Sequence, residues 1–96
     1  MTVTALLELT IKPEALEIAP GIITETLATT RAFAGCLGCT VAVDVDDPQH
    51  FVIVETWESI EADDAYRAFR ATPAGASRLG EVTSDRRLVR YENTTA

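Results

Sequence analysis

The stretch Thr40-Val41-Ala42-Val43-Asp44-Val45-Asp46-Asp47-Pro48-Gln49-His50-Phe51-Val52-Ile53-Val54-Glu55-Thr56-Trp57 decides the fold. Asp46-Asp47-Pro48 has turn chemistry, and β-branched residues dominate both sides of it, so the segment predicts a hairpin with strands at about 37–45 and about 50–58. On the first strand Cys39, Val41, Val43 and Val45 share a face, yet Thr40 and Ala42 on the other face are hardly more polar. On the second strand Phe51 and Ile53 oppose Val52 and Val54. Strands that are apolar on both sides need cover on both sides.

Working outward from the hairpin, Val3, Ala5, Leu7, Leu9 and Ile11 alternate with Thr2, Thr4, Glu8, Thr10 and Lys12, a period-2 strand that Pro13 ends. Ile22, Ile23, Thr26, Leu27 and Thr30 recur at helical spacing, which predicts a helix over about 20–33 with Gly35 as its exit. Beyond the hairpin, Ser59 reads as the cap of a second helix whose first turn holds Glu61, Asp63 and Asp64. Thr72-Pro73 breaks that helix, and Thr72 is expected to cap a short third helix ending near Gly80. A last strand is expected at about 85–92, with Arg87, Val89 and Tyr91 alternating with Leu88, Arg90 and Glu92.

The order is β-α-β-β-α-β, which predicts one α+β domain over residues 1–96, a ferredoxin-like antiparallel sheet with its helices on one face. Two short helices cover one face only, so a second copy of the chain is expected to cover the other, as a two-fold homodimer. Small size points the same way, because a domain of 96 residues buries only about two-thirds of its unfolded surface.

A net charge of −7, from 15 acidic against 8 basic residues, argues against nucleic acid or an anionic membrane as partner. No apolar run approaches the roughly 20 residues that span a bilayer, and the first residues do not form a signal-peptide core, so the default expectation is a cytoplasmic protein. No dinucleotide or nucleoside triphosphate loop is present. Cys36-x-x-Cys39 reads as two small strand residues, expected on opposite faces at an offset of three, rather than as a redox pair. With His50 the sole histidine, beside the hairpin turn, no set of metal ligands or Ser/His/acid group is suggested.

Gly35-Cys36-Leu37-Gly38-Cys39, Asp47-Pro48, Phe51-x-x-x-Glu55-x-Trp57-Glu58 and an Ala65-aromatic step resemble the antibiotic biosynthesis monooxygenase family across nearly the whole chain. The resemblance implies a dimeric α+β barrel and, for many members, cofactor-independent oxidation of phenols or quinols by O₂. Where many members carry a histidine nine residues after the strand-three tryptophan, this chain has Tyr66. Heme-degrading relatives use a strand-one asparagine and a later histidine. Here Leu7 stands in the comparable region and no histidine follows His50, which argues against heme.

The implied activity is oxidation of a small phenolic, quinol or polycyclic aromatic molecule, with O₂ as co-substrate and no cofactor. Such chemistry needs a dry cavity, a polar group for the substrate hydroxyl and donors for developing negative charge. Tyr66 and Arg70, one helical turn apart, are the candidate catalytic pair. Trp57, Phe51 and Phe69 are candidate apolar walls, and Glu55 is a candidate substrate contact. The competing readings are a non-catalytic dimer that binds a small molecule or partner, and an isomerase or lyase using Tyr66 or Glu55.

Overall fold

A computed structural model describes all residues from Met1 to Ala96. Strands β1 (Val3–Ile11), β2 (Cys36–Asp44), β3 (Asp47–Trp57) and β4 (Thr83–Glu92) form one antiparallel sheet in the order β2-β3-β1-β4. Helices α1 (Ala19–Ala32) and α2 (Ile60–Arg70) follow β1 and β3, and a single turn, α3 (Leu79–Val82), precedes β4. This is the ferredoxin-like α+β arrangement that the strand and helix periods predict.

Side-chain alternation decides which face meets the helices. Val3, Ala5, Leu9 and Ile11 of β1 are buried there with Ile53, Glu55 and Trp57 of β3. A cluster of eleven buried residues joins Leu9, Ile11 and Ile53 to Ile22, Ile23 and Leu27 of α1 and to Leu79 and Val82 of α3. A second cluster, Val3, Ala5, Trp57 and Tyr66, fills the far end. Two threonines sit in the buried stripe of α1 because each hydroxyl is satisfied within the helix, Thr26 by Ile22 O at 2.9 Å and Thr30 by Thr26 O at 3.0 Å.

The opposite face has no helix. Leu6, Val52, Val54 and Val89 are only half-buried there, and Tyr91 is 52% exposed. Register places Leu6 between Val54 and Val89, so this apolar strip crosses the middle of the sheet.

Local chemistry explains the element ends. Gly35 closes the α1–β2 connection at φ +91°, and a Cβ there would stand 2.5 Å from the Ala62 Cβ. Ser59 Oγ accepts from Ala62 N at 3.1 Å and caps α2, as its sequence context predicts.

Three expectations are corrected. The hairpin turn is tighter than Asp46-Asp47-Pro48: Asp44 pairs with Asp47, so Pro48 lies at the start of β3, beyond its pairing with β1. The residues after Thr72 make a loop, and the only helix that follows is α3. Thr72 Oγ1 does accept from Gly75 N at 3.1 Å, but it caps a turn packed so closely that a Cβ on Gly75 would meet Phe69 O at 2.0 Å. The cysteines do not take opposite faces. A bulge inserts Leu37 between Cys36, opposite Trp57, and Gly38, opposite Thr56, so Cys39 falls opposite Glu55 on the same face as Cys36. Both thiols are free and pack against the core. Burial pushes the Cys39 thiol up to about 12, which leaves it un-ionised near neutrality.

Candidate functional site

A cavity of about 520 Å³ opens between the helix-facing side of the sheet and helices α2 and α3. Its apolar wall is Leu7, Ile53, Leu79 and Leu88, and its polar wall is Glu55, Tyr66, Arg67, Arg70 and Arg86. The volume suits a ligand of one to a few rings, and the mixed lining is that of a small-molecule site.

Glu55 comes from the C-terminal end of β3, two residues before Trp57, and is 2% exposed. A buried carboxylate needs partners, and this one has two on the same oxygen. Its Oε1 accepts from the Trp57 indole N–H at 3.1 Å and from Arg67 Nη2. Its Oε2 has no protein partner. Arg67 is held from behind by Asp63, which is fully buried at the start of α2; Arg67 Nε lies 3.0 Å from Asp63 Oδ1 but off the hydrogen-bonding direction, so the contact is ionic. Arg90 donates to Asp63 at 3.2 Å and to Asp64 at 2.6 Å, and so is committed outside the cavity.

Tyr66 stands in the wall with its ring 4.8 Å from that of Trp57, centroid to centroid. The guanidinium carbons of Arg67 and Arg70 lie 5.0 and 5.1 Å from the Tyr66 ring centre, within cation–π range. Its hydroxyl is 2.6 Å from Thr30 Oγ1 and accepts from Arg70 Nε at 2.8 Å. Because the Thr30 hydroxyl hydrogen goes to Thr26 O, Tyr66 is the donor in the 2.6 Å bond. Arg70 also donates to Gly75 O, Thr26 O and Thr30 Oγ1, at 3.1, 3.0 and 3.3 Å.

Of the six residues singled out in the sequence, Glu55, Tyr66 and Arg70 meet in this cavity. The other three do not line it. Trp57 is fully buried behind Tyr66, where it positions Glu55 through its indole N–H. Phe51 packs against the larger core cluster and borders a shallow depression with Ala42 and His50. Phe69 borders a neighbouring pocket of about 120 Å³ with Arg70. Sequence reasoning missed Arg67 and Arg86. The Asp63–Arg67 spacing of four was a signal for the first. Counting alternation back from Leu88 puts Arg86 and Arg90 on one face, a signal for the second.

His50 lies on the helix-free face, with Nδ1 3.0 Å from Asp44 Oδ2 and Nε2 3.1 Å from Glu8 Oε1. No three His, Cys, Asp or Glu side chains are grouped to hold a metal ion. No helix is long and apolar enough to cross a membrane.

A four-stranded antiparallel sheet, helices on one side and a half-apolar cavity between them define a ferredoxin-like α+β domain. The chain belongs to the antibiotic biosynthesis monooxygenase family, whose model matches residues 2–75. A crystal structure of an antibiotic biosynthesis monooxygenase is 29% identical, with TM-score 0.79 over 96% of this chain and 98% of that one. Two more distant structures share the fold. One is a Deinococcus radiodurans protein provisionally described as an antibiotic biosynthesis monooxygenase, 24% identical with TM-score 0.82 over 98% and 94% of the two chains. The other is Rv0793 from Mycobacterium tuberculosis, 18% identical with TM-score 0.81 over 100% and 98%. No curated protein sequence matches the chain.

Proposed function

We propose that this chain is a cofactor-independent monooxygenase that oxidises a small phenolic, quinol or polycyclic aromatic molecule with O₂, working as a homodimer. The observation that carries the reading is Glu55, whose Oε1 is pinned by Trp57 and Arg67 while its Oε2 is left without a protein partner on a residue that lines the cavity. A fixed carboxylate of this kind is a proton acceptor held in place before the substrate arrives.

With an anthrone-type substrate, Glu55 Oε2 takes a proton and leaves a delocalised carbanion–phenolate. That anion reduces O₂, a carbon–oxygen bond forms, and the peroxide so made loses water. The balance is one CH₂ and one O₂ converted to one C=O and one H₂O. The Leu7, Ile53, Leu79 and Leu88 wall keeps water from the anion, while Arg70, which lines the cavity and is fixed there by the Tyr66 hydroxyl, stabilises it. Dimerisation is supported by the uncovered strip of Leu6, Val52, Val54 and Val89.

The test is oxygen uptake with a panel of hydroquinones and anthrone-type phenols. Uptake that survives metal chelators, vanishes in Glu55→Gln and falls in Tyr66→Phe is expected. One observation favours a second reading: the Tyr66 proton is committed to Thr30, so Tyr66 is no free acid. Thermal stabilisation by these compounds with no oxygen consumed would make the chain a non-catalytic binder instead.

A further inference from the structure

The chain carries a net charge of −7, yet its cavity is lined by three guanidinium groups and one carboxylate. Arg67 is neutralised by Glu55 and Asp63. Arg70 and Arg86 have no carboxylate partner at all. Arg70 is part-buried, and every acceptor around it, two backbone carbonyls and the hydroxyls of Tyr66 and Thr30, is neutral. Arg86, from the helix-facing side of β4 opposite Leu9, is exposed and its side chain makes no hydrogen bond within the chain.

Holding Arg70 partly out of water without a counter-ion is costly, and the exposed Arg86 beside the same cavity leaves its guanidinium fork open, although in an acidic protein carboxylates for pairing are plentiful. Eight acid–base contacts join other residues, but none reaches these two arginines. We infer that the substrate supplies the missing charge: it is an aromatic carboxylate, whose ring occupies the Leu7–Ile53–Leu88 wall and whose acid group meets Arg86 at the rim, in the field of Arg70. Carboxylate is the anion that a guanidinium fork matches with two parallel hydrogen bonds. The inference rests on the cavity being the substrate site, as proposed above, and adds the charge of what enters it.

Calorimetric titration of 2-naphthol and 3-hydroxy-2-naphthoate into the wild-type protein and Arg86→Gln tests this. The Arg86 side chain makes no internal hydrogen bond, so the variant is expected to fold, with circular dichroism as the check. The acid is expected to bind at least about tenfold more tightly than the naphthol, and Arg86→Gln to remove about that factor from the acid and far less from the naphthol. Raising the salt concentration should weaken only the acid. Equal affinities, binding of neither compound, or equal losses in the variant would overturn the inference. Oxygen uptake with carboxylated and uncarboxylated hydroquinones separates it from the catalytic reading. Uptake without preference for the acid sinks the anion and keeps the oxygenase. Acid-selective binding with no uptake of oxygen does the reverse.

Discussion

Thr30 and Tyr66, 36 positions apart, share a 2.6 Å hydrogen bond that ties α1 to α2 beside the cavity. The Tyr66 oxygen in turn accepts from Arg70, so one phenol links two helices and holds a guanidinium at the cavity wall. Neither partner of the 2.6 Å bond is more than 2% exposed, and removing the phenol oxygen takes one donor from Thr30 Oγ1 and leaves Arg70 Nε without its acceptor.

Tyr66→Phe is accordingly expected to destabilise the fold by about 2 kcal/mol in urea titrations. Oxygen uptake should fall about tenfold while the variant stays folded, since Arg70 then loses the hydrogen bond that fixes its guanidinium at the cavity wall. A variant with unchanged uptake would reduce Tyr66 to a structural role.

Glu55→Gln keeps the shape of the side chain and removes its charge. Breaking a buried ion pair costs about 3 kcal/mol or more, moderated here because Arg67 retains Asp63. Uptake per folded molecule should drop by about 100-fold or more, as expected for loss of a general base. Folded fraction by circular dichroism, measured beside oxygen consumption, separates the two effects.

Gly35→Ala meets both a left-handed backbone and the Ala62 Cβ, so a loss of about 2–3 kcal/mol is expected. Gly38→Ala, three residues on in β2, meets nothing within 4 Å and should be neutral or slightly stabilising. Denaturation midpoints of the two variants give the contrast directly.

His50 bridges Asp44 from β2 and Glu8 from β1, with Arg87 of β4 3.8 Å from Glu8. Hydrogen bonds to Asp44 and then Glu8 raise the imidazole above its ordinary 6.5, and the same contact with His50 lowers Asp44 below 3.8. A raised folded-state value means that the histidine contribution is fully present below pH 6.5 and is lost as pH climbs through the raised value. The Asp44 contribution is present above 3.8 and is lost as pH falls through the lowered value. Thermal midpoints should therefore decline from mildly acidic to mildly alkaline pH, and His50→Gln should flatten that decline.

The helix-free face predicts a further outcome. Val54→Asp places a charge in the middle of the Leu6–Val54–Val52 strip, where a dimer would bury it. Sedimentation velocity is expected to show a dimer for the wild type at micromolar concentration and a monomer for the variant. A wild-type monomer would remove the homodimer from the proposal.

Much of this was legible in the residues. The period-2 runs of β1, β3 and β4, the Ser59 cap and the two-sided apolarity of the hairpin are local patterns, and local patterns survive without knowledge of the rest of the chain. The site was half legible. Glu55, Tyr66 and Arg70 stood out as polar groups among apolar neighbours, whereas Trp57, Phe51 and Phe69 were expected at a cavity wall that they do not form. An aromatic residue is equally at home in a core and in a pocket, and only packing distinguishes them.

By itself, then, the order of residues determined the β-α-β-β-α-β topology and the family, because strand and helix periods and capping are set within a few residues of one another. Tertiary structure alone decided the rest. The Leu37 bulge turned both cysteines to one face, Arg67 reached Glu55, and Arg86 came to the rim of the cavity. These are matters of register and of contact between residues far apart in sequence, which depend on how sheet and helices settle together rather than on any local preference.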